Sequence, residues 1–164
     1  MNPFVADMHT YKKVPNSDTH NCFGCSSSNP HGLQMTFFTD EKAVFSSVIV
    51  PKHLGGYTDI VHGGVVSTIL DEIMGWAGIY LLKKITMTKS MTIDFLRPVH
   101  IGKALWVQGN IVEQVGRNEA IIEGLLYDHK RETCARSRGS FALLTARMAI
   151  RLGIMSADEV DGFL

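Results

Sequence analysis

Apolar positions along this chain fall into two patterns. The first is one stretch that is apolar on nearly every side. Between Ile60 and Leu82, Val66, Ile69, Leu70, Ile73, Ala77 and Tyr80 recur at helical spacing. Val65, Trp76 and Leu81 add apolar groups on other sides, so the helix is expected to be covered nearly all round. It should run from about residue 64 to 82, where Lys83-Lys84 supplies cations suited to a helix C-terminus. It holds too many charged and small polar residues to read as a membrane span. The second pattern is strand alternation. Residues 86–96 set Met87, Met91, Ile93 and Phe95 against Thr88, Ser90, Thr92 and Asp94. Further strands are expected over 33–38, 43–50, 105–115, 119–128 and 133–148. The turns between them include Asp40-Glu41-Lys42 and Gly116-Arg117-Asn118. Two strands, a long helix and four strands describe an α+β domain in which one antiparallel sheet curls round one helix. Residues 1–21 read as a polar arm, 22–148 as the domain and 149–164 as a tail, in which Ser156 can cap one helical turn.

The enclosed helix carries two acids, Asp71 and Glu72, and buried carboxylates are costly without partners. Asp71 shares its face with Ser67, Thr68, Met74, Gly75 and Gly78, small or flexible groups that suit a close approach by a second helix. Glu72 lies about 100° away and is expected on the helix's wet edge. Gly63-Gly64 opens the helix. Two glycines there expose backbone N–H groups at the positive end of the dipole, ready for a carbonyl oxygen gaining negative charge.

Composition narrows the class. The 164 residues suit one domain, and 16 basic residues balance 16 acidic ones. That neutrality gives no reason to expect nucleic acid or an anionic membrane surface as partner. No N-terminal segment reads as a signal peptide, and three cysteines favour reduced thiols, so the expected location is cytoplasmic. Cys22 and Cys25 are separated as zinc ligands would be, with His20 and His31 nearby. The His-x-Cys spacing and the lack of a second such pair favour packed or turn-forming cysteines. No metal and no cofactor is assigned.

The segment His62-Gly63-Gly64 followed by Asp71 resembles the signature of hotdog-fold acyl-CoA thioesterases of the phenylacetyl-CoA (PaaI) and 4-hydroxybenzoyl-CoA type. The preceding His53-Leu54-Gly55-Gly56-Tyr57-Thr58-Asp59-Ile60-Val61 is similar to the family's lead-in, with Asp59 where a glycine is usual. Cys22 to Leu33 and Phe95-Leu96-Arg97-Pro98-Val99 are similar to other family segments, so the resemblance extends from about Cys22 to Leu144. It implies the hotdog fold and hydrolysis of an acyl-CoA to free acid and coenzyme A. It also implies Asp71 as catalytic acid residue, Gly63 as oxyanion donor and Thr88 as a water-orienting group. His62, Gly64 and Gly56 would border the substrate. Lys89, Arg136 and Arg138 are candidates for the coenzyme A phosphates.

Spacing adds a constraint. Gly63 and Asp71 lie about 12 Å apart along a continuous helix, whereas both groups must come within about 3 Å of one reacting carbonyl. Two antiparallel copies satisfy this, each helix start facing the partner's Asp71, so a homodimer with two composite sites, or a dimer of dimers, is expected. Two other readings share the fold. A dehydratase or hydratase would pair His53 with Asp71, and a non-catalytic acyl-CoA-binding protein would need no Asp71.

Overall fold

A computed structural model describes residues 11–164; the first ten residues of the expected arm lie outside them. The order of elements is β1 (Lys12–Lys13), β2 (Phe37–Thr39), β3 (Val44–Ile49), α1 (Gly63–Leu82), β4 (Ile85–Phe95), β5 (Ala104–Val115), β6 (Glu119–Tyr127), β7 (Thr133–Leu144), α2 (Ala146–Arg151) and α3 (Ala157–Asp161). All seven strands join one antiparallel sheet in the order β1-β2-β3-β5-β6-β7-β4. The strand after the helix therefore takes the far edge beside β7 instead of pairing with its successor. The six expected strands are present, and Lys12–Lys13 adds a short seventh from within the arm.

The helix α1 packs against one face of this sheet. It buries Val66, Ile69, Leu70, Ile73, Met74, Trp76, Ala77, Ile79 and Tyr80, which accounts for its nearly continuous apolar character. By length and mean hydropathy (1.4) the same segment could cross a membrane; here the sheet supplies its apolar surroundings. Close approach depends on missing side chains. Gly109 and Gly124 are cross-strand partners beneath the helix. A Cβ on Gly109 would stand 2.5 Å from the Ile73 carbonyl oxygen, and one on Gly124 would stand 3.1 Å from Met74 Cγ. Gly78, expected to admit another helix, is instead filled from within the chain by Thr86 of β4 and Ile122 of β6.

Three further departures have local causes. Residues 33–36 do not join the sheet. Leu33 and Met35 donate their N–H groups to Phe23 and Gly24 carbonyls, at 2.8 and 3.0 Å, so this stretch pairs with the cysteine loop. The last strand ends at Leu144 because the Thr145 side chain accepts the Met148 N–H and starts α2. The tail is packed: Phe163 stacks on Trp76 at 5.0 Å, and Trp76 on Phe37 at 4.8 Å. The expected Ser156 cap is present as a reciprocal box with Glu159.

Candidate active site

At its N-terminus α1 is capped by His62, whose Nδ1 accepts the Gly64 N–H at 2.9 Å. That bond places the imidazole proton on Nε2 and occupies one of the two glycine donors. The Gly63 N–H has no partner among the described residues, and it is the donor left for an incoming oxygen. Gly56 lies against the same turn: its N–H donates to the Ile60 carbonyl at 2.8 Å, and a Cβ there would stand 3.2 Å from His62 Cα. Gly56, Ile60, His62 and Gly63, but not Gly64, line a cavity of about 750 Å³ whose opposite wall is Phe95 to Val99 at the end of β4. The wall is apolar except for Arg97, which donates to the Thr133 carbonyl at 2.8 Å and carries no sequence signal of its own within the Phe95–Val99 segment.

Two turns along, Asp71 is half-buried, and its Oδ1 accepts the Thr88 hydroxyl at 2.6 Å. The pairing follows from a β-bulge. Between Thr88 and Ser90 the β4–β7 register shifts, leaving Lys89 unopposed. Before the bulge, Thr86 and Thr88 face the helix, with Thr86 Oγ1 donating to the Gly75 carbonyl at 3.1 Å. After it, Met91 and Ile93 pack on the core. A strict period of two puts Met87 on the core side with them; the bulge turns it out to 44% exposure and brings Thr88 to Asp71.

Glu72 departs from the sequence expectation. It is half-buried, with its carboxyl beside the Cys22-Phe23-Gly24-Cys25 loop, where Oε1 accepts the Cys22 thiol at 3.2 Å. Burial, first, and then the neighbouring Cys22 sulfur push its carboxyl up to about 8. Cys22 is drawn down to about 5, chiefly by the hydrogen bond from the Cys25 thiol, while Cys25 moves up through its contact with Cys22 and its burial. Nothing in the residue pattern of α1 marks Glu72 as enclosed, because the groups that enclose it come from a loop fifty residues earlier. Asp71, Thr88, Glu72, Cys22, Cys25, Trp76 and Phe163 line one small cavity of about 190 Å³, distinct from the one at the helix start.

Two of the three basic candidates have side-chain partners within the chain. Lys89 Nζ lies 2.6 Å from Glu119 Oε2, and Arg136 Nε lies 2.8 Å from Asp94 Oδ2. Arg138 stands opposite Glu123 in the β6–β7 register and lines a separate cavity with Arg136. The structure therefore brings Asp71 to Thr88 and His62 to Gly63, Gly64 and Gly56. It leaves Lys89, Arg136 and Arg138 away from both cavities.

One long helix on an antiparallel sheet, with a glycine-opened N-terminus and a hydroxyl-held acid two turns along, defines a hotdog-fold protein. A profile of the thioesterase superfamily matches residues 58–135, which include the helix start, Asp71 and Thr88. Among solved structures, a thioesterase superfamily protein is 23% identical, with a TM-score of 0.64 over 70% of this chain and 56% of its own, so this chain spans little more than half of that relative. The protein smu.793 from Streptococcus mutans, bound to acetyl CoA, is 20% identical, with a TM-score of 0.63 over 68% of this chain and 89% of its own. The PaaI protein of the E. coli phenylacetic acid degradation operon is 21% identical, with a TM-score of 0.58 over 63% of this chain and 78% of its own. No curated protein sequence matches significantly. The resemblance drawn from His62-Gly63-Gly64 and Asp71 to the hotdog-fold thioesterase superfamily is borne out by these matches.

Proposed function

We propose that the protein hydrolyses acyl-CoA thioesters in composite sites built by two antiparallel copies of α1. The observation that carries this reading is the Thr88–Asp71 hydrogen bond at 2.6 Å. It holds a carboxylate in a fixed orientation on the helix whose N-terminus offers the free Gly63 N–H. On one chain the two groups border different cavities, about 12 Å apart along the helix. A second copy running antiparallel supplies the missing half. The thioester oxygen accepts the Gly63 N–H, and Asp71 of the other copy takes a proton from water as the oxygen attacks the carbonyl carbon. The tetrahedral intermediate collapses with cleavage of the C–S bond. The coenzyme A sulfur leaves and takes up the proton that Asp71 holds. Thr88 orients the carboxylate. The apolar wall of Phe95, Leu96, Pro98 and Val99 suits the acyl part of the substrate. The three free thiols fit a reducing, cytoplasmic setting.

Thiol release from a panel of acyl-CoA thioesters tests the proposal, with wild type beside Asp71→Ala and size-exclusion chromatography showing that both assemble alike. The expected loss is roughly 10³-fold in kcat. Equal activity of the two proteins overturns Asp71 as the base. Binding of acyl-CoA by wild type without any hydrolysis makes the chain a binding protein instead.

A further inference from the structure

We propose that Cys22, Cys25 and Glu72 form a binding site for one zinc-type divalent ion, with a fourth position open to the cavity that holds Asp71 and Thr88. The two sulfurs and a Glu72 carboxylate oxygen all lie within 4.8 Å of one another, with Cys22 Sγ 3.2 Å from Glu72 Oε1. Tetrahedral zinc, with bonds of about 2.3 Å to sulfur and about 2.0 Å to oxygen, sets its ligands roughly 3.5 to 3.8 Å apart. The three donors therefore converge on one ion with side-chain adjustments alone.

The surrounding loop is built for that convergence. The Gly24 N–H points at Cys22 Sγ at 3.3 Å, so the turn offers a backbone donor to a thiolate. Gly24 leaves room for the acid: a Cβ there would stand 2.5 Å from Glu72 Cγ and Cδ. Beyond the donors, the Asn16 amide holds the Cys25 carbonyl at 2.8 Å, and His20 Nδ1 accepts the Cys22 N–H at 3.2 Å. Among the described residues no basic side chain pairs with Glu72. A cation bound there would take the place of the proton on Glu72 and give the acid a charged partner. A Cys22–Cys25 disulfide would use both sulfurs and leave the carboxylate with no donor, whereas a metal engages all three groups. Bound there, the ion would fasten the 22–25 loop to the middle of α1, and its water ligand would face the Asp71 cavity. The inference stands on this donor geometry and not on the thioesterase reading.

Titration of the reduced, metal-free full-length protein with Co²⁺ tests it by spectrum instead of by activity. The expected result is one Co²⁺ per chain, with the visible bands of a tetrahedral site and a near-ultraviolet sulfur-to-cobalt band, all removed by one equivalent of Zn²⁺. Cys22→Ser/Cys25→Ser should abolish the sulfur band, and Glu72→Gln should weaken affinity at least tenfold and change the visible bands. Alkylation needs no variant: Zn²⁺ should protect Cys22 from iodoacetamide in wild type. Absence of saturable one-to-one binding overturns the site. So does Glu72→Gln binding as tightly as wild type, or a cysteine pair that binds no metal after reduction and is not protected by Zn²⁺. Loss of hydrolysis by Asp71→Ala leaves these readouts untouched, so the two proposals fail separately.

Discussion

Asp71 and Glu72 are neighbours in sequence and belong to different chemical environments. Asp71 faces β4, keeps access to water and is held by one neutral hydroxyl, Thr88. Glu72, about 100° round the helix, is closed in by the cysteine loop and has a thiol as its partner. A carboxylate with solvent access and a single fixed hydrogen bond can take a proton from water and give it back. A carboxyl pushed up to about 8 by burial is protonated near neutral pH and is a poor base there, unless a cation replaces the proton. The same residue class thus serves base chemistry at one position and fastening at the next, and the difference is set by what packs on each.

The largest effect should come from exchanging each acid for its amide. Asp71→Asn keeps shape and removes the base, and kcat for thioester hydrolysis should fall roughly 10³-fold. Glu72→Gln should cost at most about tenfold, the scale of a group that acts only by supporting the loop. Initial rates of thiol release from the preferred acyl-CoA decide between them. A Glu72→Gln enzyme as impaired as Asp71→Asn would mean that the enclosed acid, not the hydroxyl-held one, takes part in the reaction.

Next in size is the fit of the cysteine loop on the helix. In Gly24→Ala the new Cβ would meet the Glu72 side chain at 2.5 Å, and overpacking of this kind costs about 1–3 kcal/mol. Urea unfolding should show that loss as a lower midpoint. Adding Glu72→Ala should recover part of it, because the truncated side chain no longer occupies the space. No recovery in the double variant would mean that Gly24 is needed for its backbone alone.

The same comparison explains what could be read in the sequence. Asp71 and Gly63 are legible because helical periodicity and the spacing from His62 fix them within one short segment; Thr88 comes only from the family resemblance, because strict strand alternation turns it away from the helix and the bulge at Lys89 turns it back. The hotdog arrangement was legible because a helix apolar on nearly all sides demands a sheet around it. Glu72 was misplaced because its enclosing groups, Cys22, Gly24 and Cys25, lie fifty residues upstream, and periodicity carries no long-range information. Met87 was misplaced because a single bulge at Lys89 reverses the faces of β4, and a residue inserted into a ladder leaves no mark on composition. Lys89 and Arg136 looked like free cations; their partners Glu119 and Asp94 lie across the sheet, and only the register reveals them.

A pH dependence isolates Glu72. Its carboxyl is raised to about 8 in the folded protein from an ordinary value of 4.5. A raised acid stabilises the fold fully below the unfolded value, where both states hold the proton. As pH rises from about 4.5 towards 8, the unfolded chain releases the proton first, so this contribution is lost. In metal-free protein, the stability of wild type relative to Glu72→Gln should therefore decline across that window, with a slope of at most about 1.4 kcal/mol per pH unit for one proton. Taking the difference between the two proteins removes the common background of the other titrating groups. Cys22 does not cancel fully, because its own drop owes part of its size to Glu72, so the comparison should be repeated in a Cys22→Ser background. There the raising influence of the neighbouring sulfur is gone while burial, the larger cause, remains. The decline should persist with a narrower window. A flat difference between pH 4.5 and 8 in both backgrounds would mean that the acid is as well hydrated as Asp71, and the contrast between the two neighbours would disappear.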